Sequence, residues 1–212
     1  MDKNTKKILE FVVIIIIVFA LTFLARYFYD DEATTLDELH RKNLEGEKVG
    51  TNYVYDGFSF VFVDNLWYTQ VQRKGDTILD IPLHFGPKEL ENISIIGENW
   101  KLEDPEVYLT FDPDEGNNFK FTTLAILELS LNLAKGMEIK PVAACTKNET
   151  SACIDRPIVT CASKDKAVIY LKQTNESGKV KLNGNCVELS GEDWELVKAT
   201  DRFLLQWYGV MK

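Results

Sequence analysis

Residues 106–145 read EVYLTFDPDEGNNFKFTTLAILELSLNLAKGMEIKPVAAC. EVYLTF, at 106–111, has the composition of a strand, and FKFTTLAILELSLNLAKG, at 119–136, that of a helix stopped by Gly136. MEIKPVAAC follows as a second strand of similar apolar weight. A strand, a helix and a strand in that order are the signature of a right-handed parallel crossover, so this stretch predicts a βαβ unit.

Working outward, residues 53–85 predict an antiparallel meander. GFSFVFV alternates Phe58, Phe60 and Phe62 against Ser59, Val61 and Val63, with the period of two that a half-buried strand demands. Asp64-Asn65 supplies a turn, LWYTQVQ a second strand, RKGD another turn and TILDIPLHF a third strand. Pro82 lacks an N–H and places this last run at a sheet edge. GPKEL breaks the pattern, and ISII is a short strand or loop. Downstream of the crossover, AVIYLKQ and KVKLNGNCVEL bracket the polar turn TNESG and read as a hairpin. EDWELVKATDRFLLQWYGV then forms a closing helix, with Ser190 and Asp193 in the S-x-x-D spacing of a cap. On that helix Trp194, Phe203, Trp207 and Tyr208, with Val197 and Leu204, cover a wide face, which a closing helix spends on the core. The fold class is therefore α+β: a meander, a βαβ crossover, a hairpin and a C-terminal helix in one domain spanning 51–212.

Before that domain lies ILEFVVIIIIVFALTFLA, residues 8–25, apolar except for Glu10 and Thr22. Eighteen helical residues at about 1.5 Å each span roughly 27 Å, close to the hydrocarbon thickness of a bilayer. The reading is a transmembrane signal anchor over residues 8–29, closed by the aromatic belt Tyr27, Phe28 and Tyr29. Lys3, Lys6 and Lys7 precede it, and Asp30, Asp31 and Glu32 follow. The positive-inside bias then makes 1–7 a cytosolic tail and puts the C-terminal domain outside the cell membrane, on a single-pass protein. A cleaved signal peptide fits less well, because cutting after Ala25 or Ala33 leaves Phe23 or Asp31 at the −3 position. A prepilin-like leader lacks its processing site. Residues 30–50 form a juxtamembrane stalk, in which Thr35 and Glu38 match a capping box and Gly46 stops a short helix.

The chain has 24 Lys+Arg and 33 Asp+Glu, a formal net charge of −9. Such a surface repels a phosphate backbone, so a nucleic-acid partner is not expected. The lipid bilayer, met through 8–29, and an envelope protein are the expected partners.

Cys145, Cys153, Cys161 and Cys186 are an even set far beyond the anchor, which in an oxidising compartment reads as two disulfide bonds. The expected pairing is Cys145–Cys153 and Cys161–Cys186; the spacing lacks the tight pairs of a zinc site and the C-x-x-C of a redox site. N-x-[ST] sequons stand at Asn92, Asn148 and Asn175, so a glycoprotein is expected, with Asn92 the least exposed because an apolar ISII follows it.

FDPDEGNN, at 111–118, leaves the carboxyl end of a strand and enters a helix, where open α/β sheets bind ligands. Asp112, Asp114 and Glu115 could hold Ca2+ through carboxylate oxygens, although Thr123 stands where an EF-hand needs Glu. The plainer reading is a turn and a helix cap by Asn117 or Asn118. No catalytic residues and no cofactor are expected. His40 and His84 are isolated in the sequence, and the motifs of zinc, serine and nucleotide chemistry are missing. The function expected is a membrane-anchored extracytosolic binding or assembly module of the cell envelope, non-catalytic. The alternative is a carboxylate-dependent hydrolase or a cation-binding domain with its site at Asp112–Asn118.

Overall fold

The computed structural model describes residues 2–29, 35–73, 77–97, 105–114 and 119–212. The chain divides into two units, Met1–Leu39 and His40–Lys212.

In the first unit, α1 (Lys3–Tyr29) is a helix of 27 residues. Among its described side chains the large apolar ones, from Phe11 to Leu24, range from 44% exposed for Ile15 to 68% for Phe19, so over residues 11–22 none of its faces is covered. Among the described residues no helix is long and apolar enough to cross a membrane. Helix α2 (Leu36–Leu44) begins in this unit, where Thr35 Oγ1 accepts from the Glu38 N–H at 3.2 Å, half of the expected capping box. The helix stops at Gly46, whose φ of 85° is the left-handed conformation a C-terminal glycine supplies.

The second unit carries two sheets. Strands β1 (Tyr53–Tyr55), β2 (Phe58–Val63), β3 (Leu66–Gln72) and β4 (Ile78–Leu83) pair antiparallel in that order, which is the expected meander with one strand added at its start. Tyr55 pairs with Phe58 and Val63 with Leu66, so two-residue loops join these strands. Asp56, Gly57, Asp64 and Asn65 all have positive φ, as tight hairpin loops require. Pro82 lies in β4, which is an edge strand. Of the RKGD turn, residues 74–76 lie outside the described residues.

Helix α3 (Pro87–Leu90) leads to the second sheet, built from β5 (Ser94–Ile96), β6 (Glu106–Phe111), β7 (Lys140–Cys145), β8 (Ala167–Gln173), β9 (Lys179–Asn183) and β10 (Cys186–Gly191) in the order β5-β9-β10-β8-β6-β7. Strands β6 and β7 are parallel neighbours joined through α4 (Phe119–Leu131), the expected βαβ unit. The last turn of α4, Asn132–Gly136, widens to a π-helix. A Cβ on Gly136 would run into the Tyr208 hydroxyl, so glycine is needed at this stop for a close approach. Helix α5 (Trp194–Trp207) closes the chain.

Two expectations are corrected. AVIYLKQ and KVKL do not form a hairpin: β8 lies parallel to β10, and the hairpin is β9–β10 around Gly184-Asn185. Cys186 pairs with Asn183, so that loop has two residues, and Gly184 has φ 58°. A two-residue loop closes a strand pair with less lost entropy than the longer TNESG segment, which instead spans the width of β10. The Ser190–Asp193 cap is also absent. Ser190 is part of β10, and Asp193, at φ 50°, makes no side-chain cap. Its N–H donates instead to Gln173 Oε1 at 3.2 Å.

The central strands are buried on both faces, as parallel strands usually are. Val107, Leu109, Ile169, Leu171, Val187 and Leu189 meet Leu129 and Leu133 of α4 and Leu196, Ala199 and Phe203 of α5. Ala144, Val159, Val168 and Cys186 form a smaller cluster on the other side. Phe60, Leu83 and Leu90 extend the larger cluster into the four-stranded sheet.

Candidate functional site

Asp112 and Asp114 lie where β6 ends, as expected, and Asp112 Oδ1 accepts from the Asp114 N–H at 3.0 Å. Glu115, Asn117 and Asn118 lie outside the described residues. The position assigned to a cation is taken by a side chain of the protein. Lys147 Nζ stands 3.2 Å from Asp112, 2.8 Å from Asp114 and 3.3 Å from Glu149. Bonds to Asp114 and Asp112 hold the Lys147 ammonium well above its ordinary range, and those to Glu149 and Lys147 hold Asp114 below its own. Among the described residues no group of His, Cys, Asp and Glu is arranged to hold a metal ion.

The two histidines, isolated in sequence, each gain partners in the fold, at opposite ends of β4. At one end His40 of α2 is buried, with Nδ1 2.9 Å from Ser59 Oγ and Nε2 3.5 Å from Asp80 Oδ1. With Nε2 protonated, the ring faces Asp80 without a hydrogen bond to it, while Ser59 donates to Nδ1, which resembles the order of a hydrolytic triad without its full set of bonds. Its surroundings make it a clip. Ser59 is only 5% exposed, mid-strand, and its hydroxyl also accepts from Asn43 Nδ2 at 2.8 Å. Asn43 donates further to the carbonyls of Tyr53, at 2.8 Å, and Phe60, at 3.3 Å. These bonds fasten the second half of α2, expected to be stalk, onto β1 and β2.

At the other end, His84 follows β4. Its ring Nδ1 bonds to Glu128 Oε1 of α4, and its main-chain N–H donates to the same oxygen at 3.2 Å. The next N–H, of Phe85, donates to Asp201 Oδ2 of α5 at 2.8 Å. Asp201 is fully buried and Glu128 is 6% exposed. Glu128 Oε2 and Asp201 Oδ1 are buried with no protein donor facing them. The two acids are close enough to act on each other, and a proton on one carboxyl would let it donate to the other. Burial pushes Glu128 up to about 7. Asp201 is raised well above its ordinary value by burial and then by the charge of Glu128. Trp194 stands beside this site, 5.8 Å from the His84 and Phe85 rings and 5.2 Å from Phe121 between centroids.

The chain matches no protein-family model, no curated protein and no solved structure. The reading of function therefore rests on these geometries.

Sequence reasoning passed over Glu128 and Asp201, and a signal was there. Ala125, Glu128, Leu129 and Asn132 share the buried face of α4 at helical spacing, as Val197, Asp201 and Leu204 do on α5. An acid in such a row is a buried acid, and buried acids mark candidate sites.

The cysteines pair as expected, Cys145 with Cys153 and Cys161 with Cys186. The first bond closes the loop that carries Lys147, and the second ties β10 to the segment before β8. All of Asn92, Asn148 and Asn175 are exposed. This corrects the expectation for Asn92, which lies in a turn before β5 so that only Ile93, next to it, is buried. On α5, Val197, Phe203 and Leu204 are buried, while Trp194 is 46% exposed. The Tyr208 hydroxyl donates to Asn132 Oδ1 at 2.9 Å.

Proposed function

We propose that this chain is a membrane-anchored extracytosolic binding or assembly module of the cell envelope, non-catalytic and held at the surface by a signal anchor over residues 8–29. The observation that carries the reading is α1, whose described apolar side chains over residues 11–22 are exposed on every face. A helix apolar all round has no stable place in water, and lipid is the solvent that suits it. Lys3, Lys6 and Lys7 before the apolar run and the acids after it support an N-terminus in the cytosol. Disulfide bonds and exposed sequons on the C-terminal side suit an oxidising compartment.

The alternative at Asp112–Asn118, a hydrolase or a cation-binding domain, has weaker support, because the Lys147 ammonium already pairs with both Asp112 and Asp114. Protease treatment of intact cells tests the placement. Digestion should remove the C-terminal domain and leave a membrane-embedded fragment of the anchor, and alkaline carbonate should leave the full chain in the membrane pellet. Release by carbonate, or protection of the domain in intact cells, would refute the anchor reading. Cross-linking in native membranes should then capture a reproducible envelope protein; failure to do so removes the assembly role while leaving the anchor intact.

A further inference from the structure

We propose that Glu128 and Asp201 form a proton-operated latch that holds the His84–Gly86 turn, and through it the end of the four-stranded sheet, against helices α4 and α5. The turn presents two successive N–H groups, one to each carboxyl: His84 to Glu128 and Phe85 to Asp201. That leaves one oxygen on each acid, and these face no other donor. A single proton between them satisfies all four carboxyl oxygens. Its removal sets two anions close together in a buried site, and a repulsion of that kind in a low-dielectric interior is large.

Three elements meet at the pair, and the turn is the one that yields. Glu128 and Asp201 sit within α4 and α5, each fixed by its own helical bonds and by the core, including Leu129, Leu204 and Phe203. The turn is anchored at this end by the two N–H bonds and by the His84 ring. That ring is 24% exposed and connects the pair to solvent protons.

The other charged groups on the elements packed here have partners of their own; Lys198 of α5 also lies over the Phe85 ring of the turn, 5.3 Å from its centroid, and Lys120 of α4 over the Phe121 ring. On α3, Lys88 lies over the Tyr53 ring, and Glu89 accepts from Trp67 Nε1 at 2.9 Å and from the Gly86 N–H at 3.0 Å. On α5, Lys198 pairs with Glu195, and Arg202 donates to Gln206 and to the Lys212 carbonyl. On β9, Lys179 pairs with Glu176. His84 is the basic group that acts on the pair.

The direction of the switch follows from the raised proton affinities. Both acids hold protons more tightly folded than unfolded, so the stabilisation is complete below the ordinary carboxylate range, near 4. It falls as pH rises through about 7 for Glu128 and further as Asp201 titrates. The latch is closed in acid and opens above neutrality, the reverse of a salt-bridged carboxylate.

The test is tryptophan fluorescence, read against Trp194→Phe to isolate the contribution of Trp194, and thermal melting of the full chain in detergent micelles between about pH 5 and pH 9. The wild type should change emission with a midpoint near or above neutrality and melt lower by about 5 °C or more at the alkaline end. Asp201→Asn keeps an oxygen for the Phe85 N–H and supplies a permanent donor to Glu128 in place of a second acid, so both signals should shrink and move to lower pH. Titration of Asp201→Asn like the wild type would assign the signal to a group acting singly, Glu128 or His84, and overturn the latch, as would a flat wild type. Infrared spectra of the wild type give a readout that no variant's folding affects. A protonated-carboxyl band should persist at about pH 6, far above ordinary carboxylates, and vanish in alkali; its absence at about pH 6 would equally overturn the proposal.

Discussion

Strand β4 is bounded by two histidine-centred sites that look alike on paper and behave differently. At Asp80 the carboxylate that meets His40 is 32% exposed, so its charge keeps contact with water. At His84 the two carboxyls have almost none. The first site is a clip in which Ser59 and Asn43 supply the hydrogen bonds. The second needs a proton that the solvent must supply. The presence of a histidine does not make a site responsive to pH; the hydration of its acidic partners decides that.

This contrast can be broken at either end. The largest effect is expected from Asp201→Ala, which strands the Phe85 N–H and the second oxygen of Glu128 and opens a void. Denaturant unfolding near pH 6 should show a loss of about 2–4 kcal/mol. Asn43→Ala removes a donor to two carbonyls and a hydroxyl at the clip, for a loss of about 1–3 kcal/mol. That loss should be the same at the two ends of the pH range; a marked difference would mean the clip also titrates. Ser59→Ala should cost about 1 kcal/mol, again without pH dependence, and should leave protease accessibility of the α2 segment nearly as in the wild type. The smallest effect belongs to Lys147→Met. Melting should barely move without added calcium, because the pairs it breaks are at the surface. If the lysine stands in for a cation, millimolar calcium should raise the melting temperature of the variant and not of the wild type.

Much of the fold was legible because it is written in local pattern. Phe58, Phe60 and Phe62 alternate through β2, EVYLTF is β6, and FKFTTLAILELSL is α4. The β8–β9 connection misled because TNESG is the more polar segment, whereas Gly184-Asn185 is the shorter one and has a glycine at positive φ. Polarity marks a loop; length and backbone conformation decide which strands it joins. The candidate site was less legible. FDPDEGNN drew attention as a run of acids, yet Lys147, which answers two of them, lies 33 residues beyond Asp114 and is brought back by β7 beside β6. Glu128 is the single acid of α4 and Asp201 a buried acid among the apolar residues of α5, and each gains its meaning from the other.

The sequence alone determined the apolar N-terminal run and its charged flanks, the meander, the βαβ order and the even set of cysteines, because each depends on composition or on neighbours along the chain; which of three pairings the cysteines take was decided by the fold. Only the tertiary structure decided that β10 enters between β8 and β9, that His40 clips α2 to a sheet and that Glu128 meets Asp201 beneath His84. Those depend on which surfaces are buried against which. Burial, by removing water from two acids at once, turns ordinary carboxylates into a pair that must share a proton.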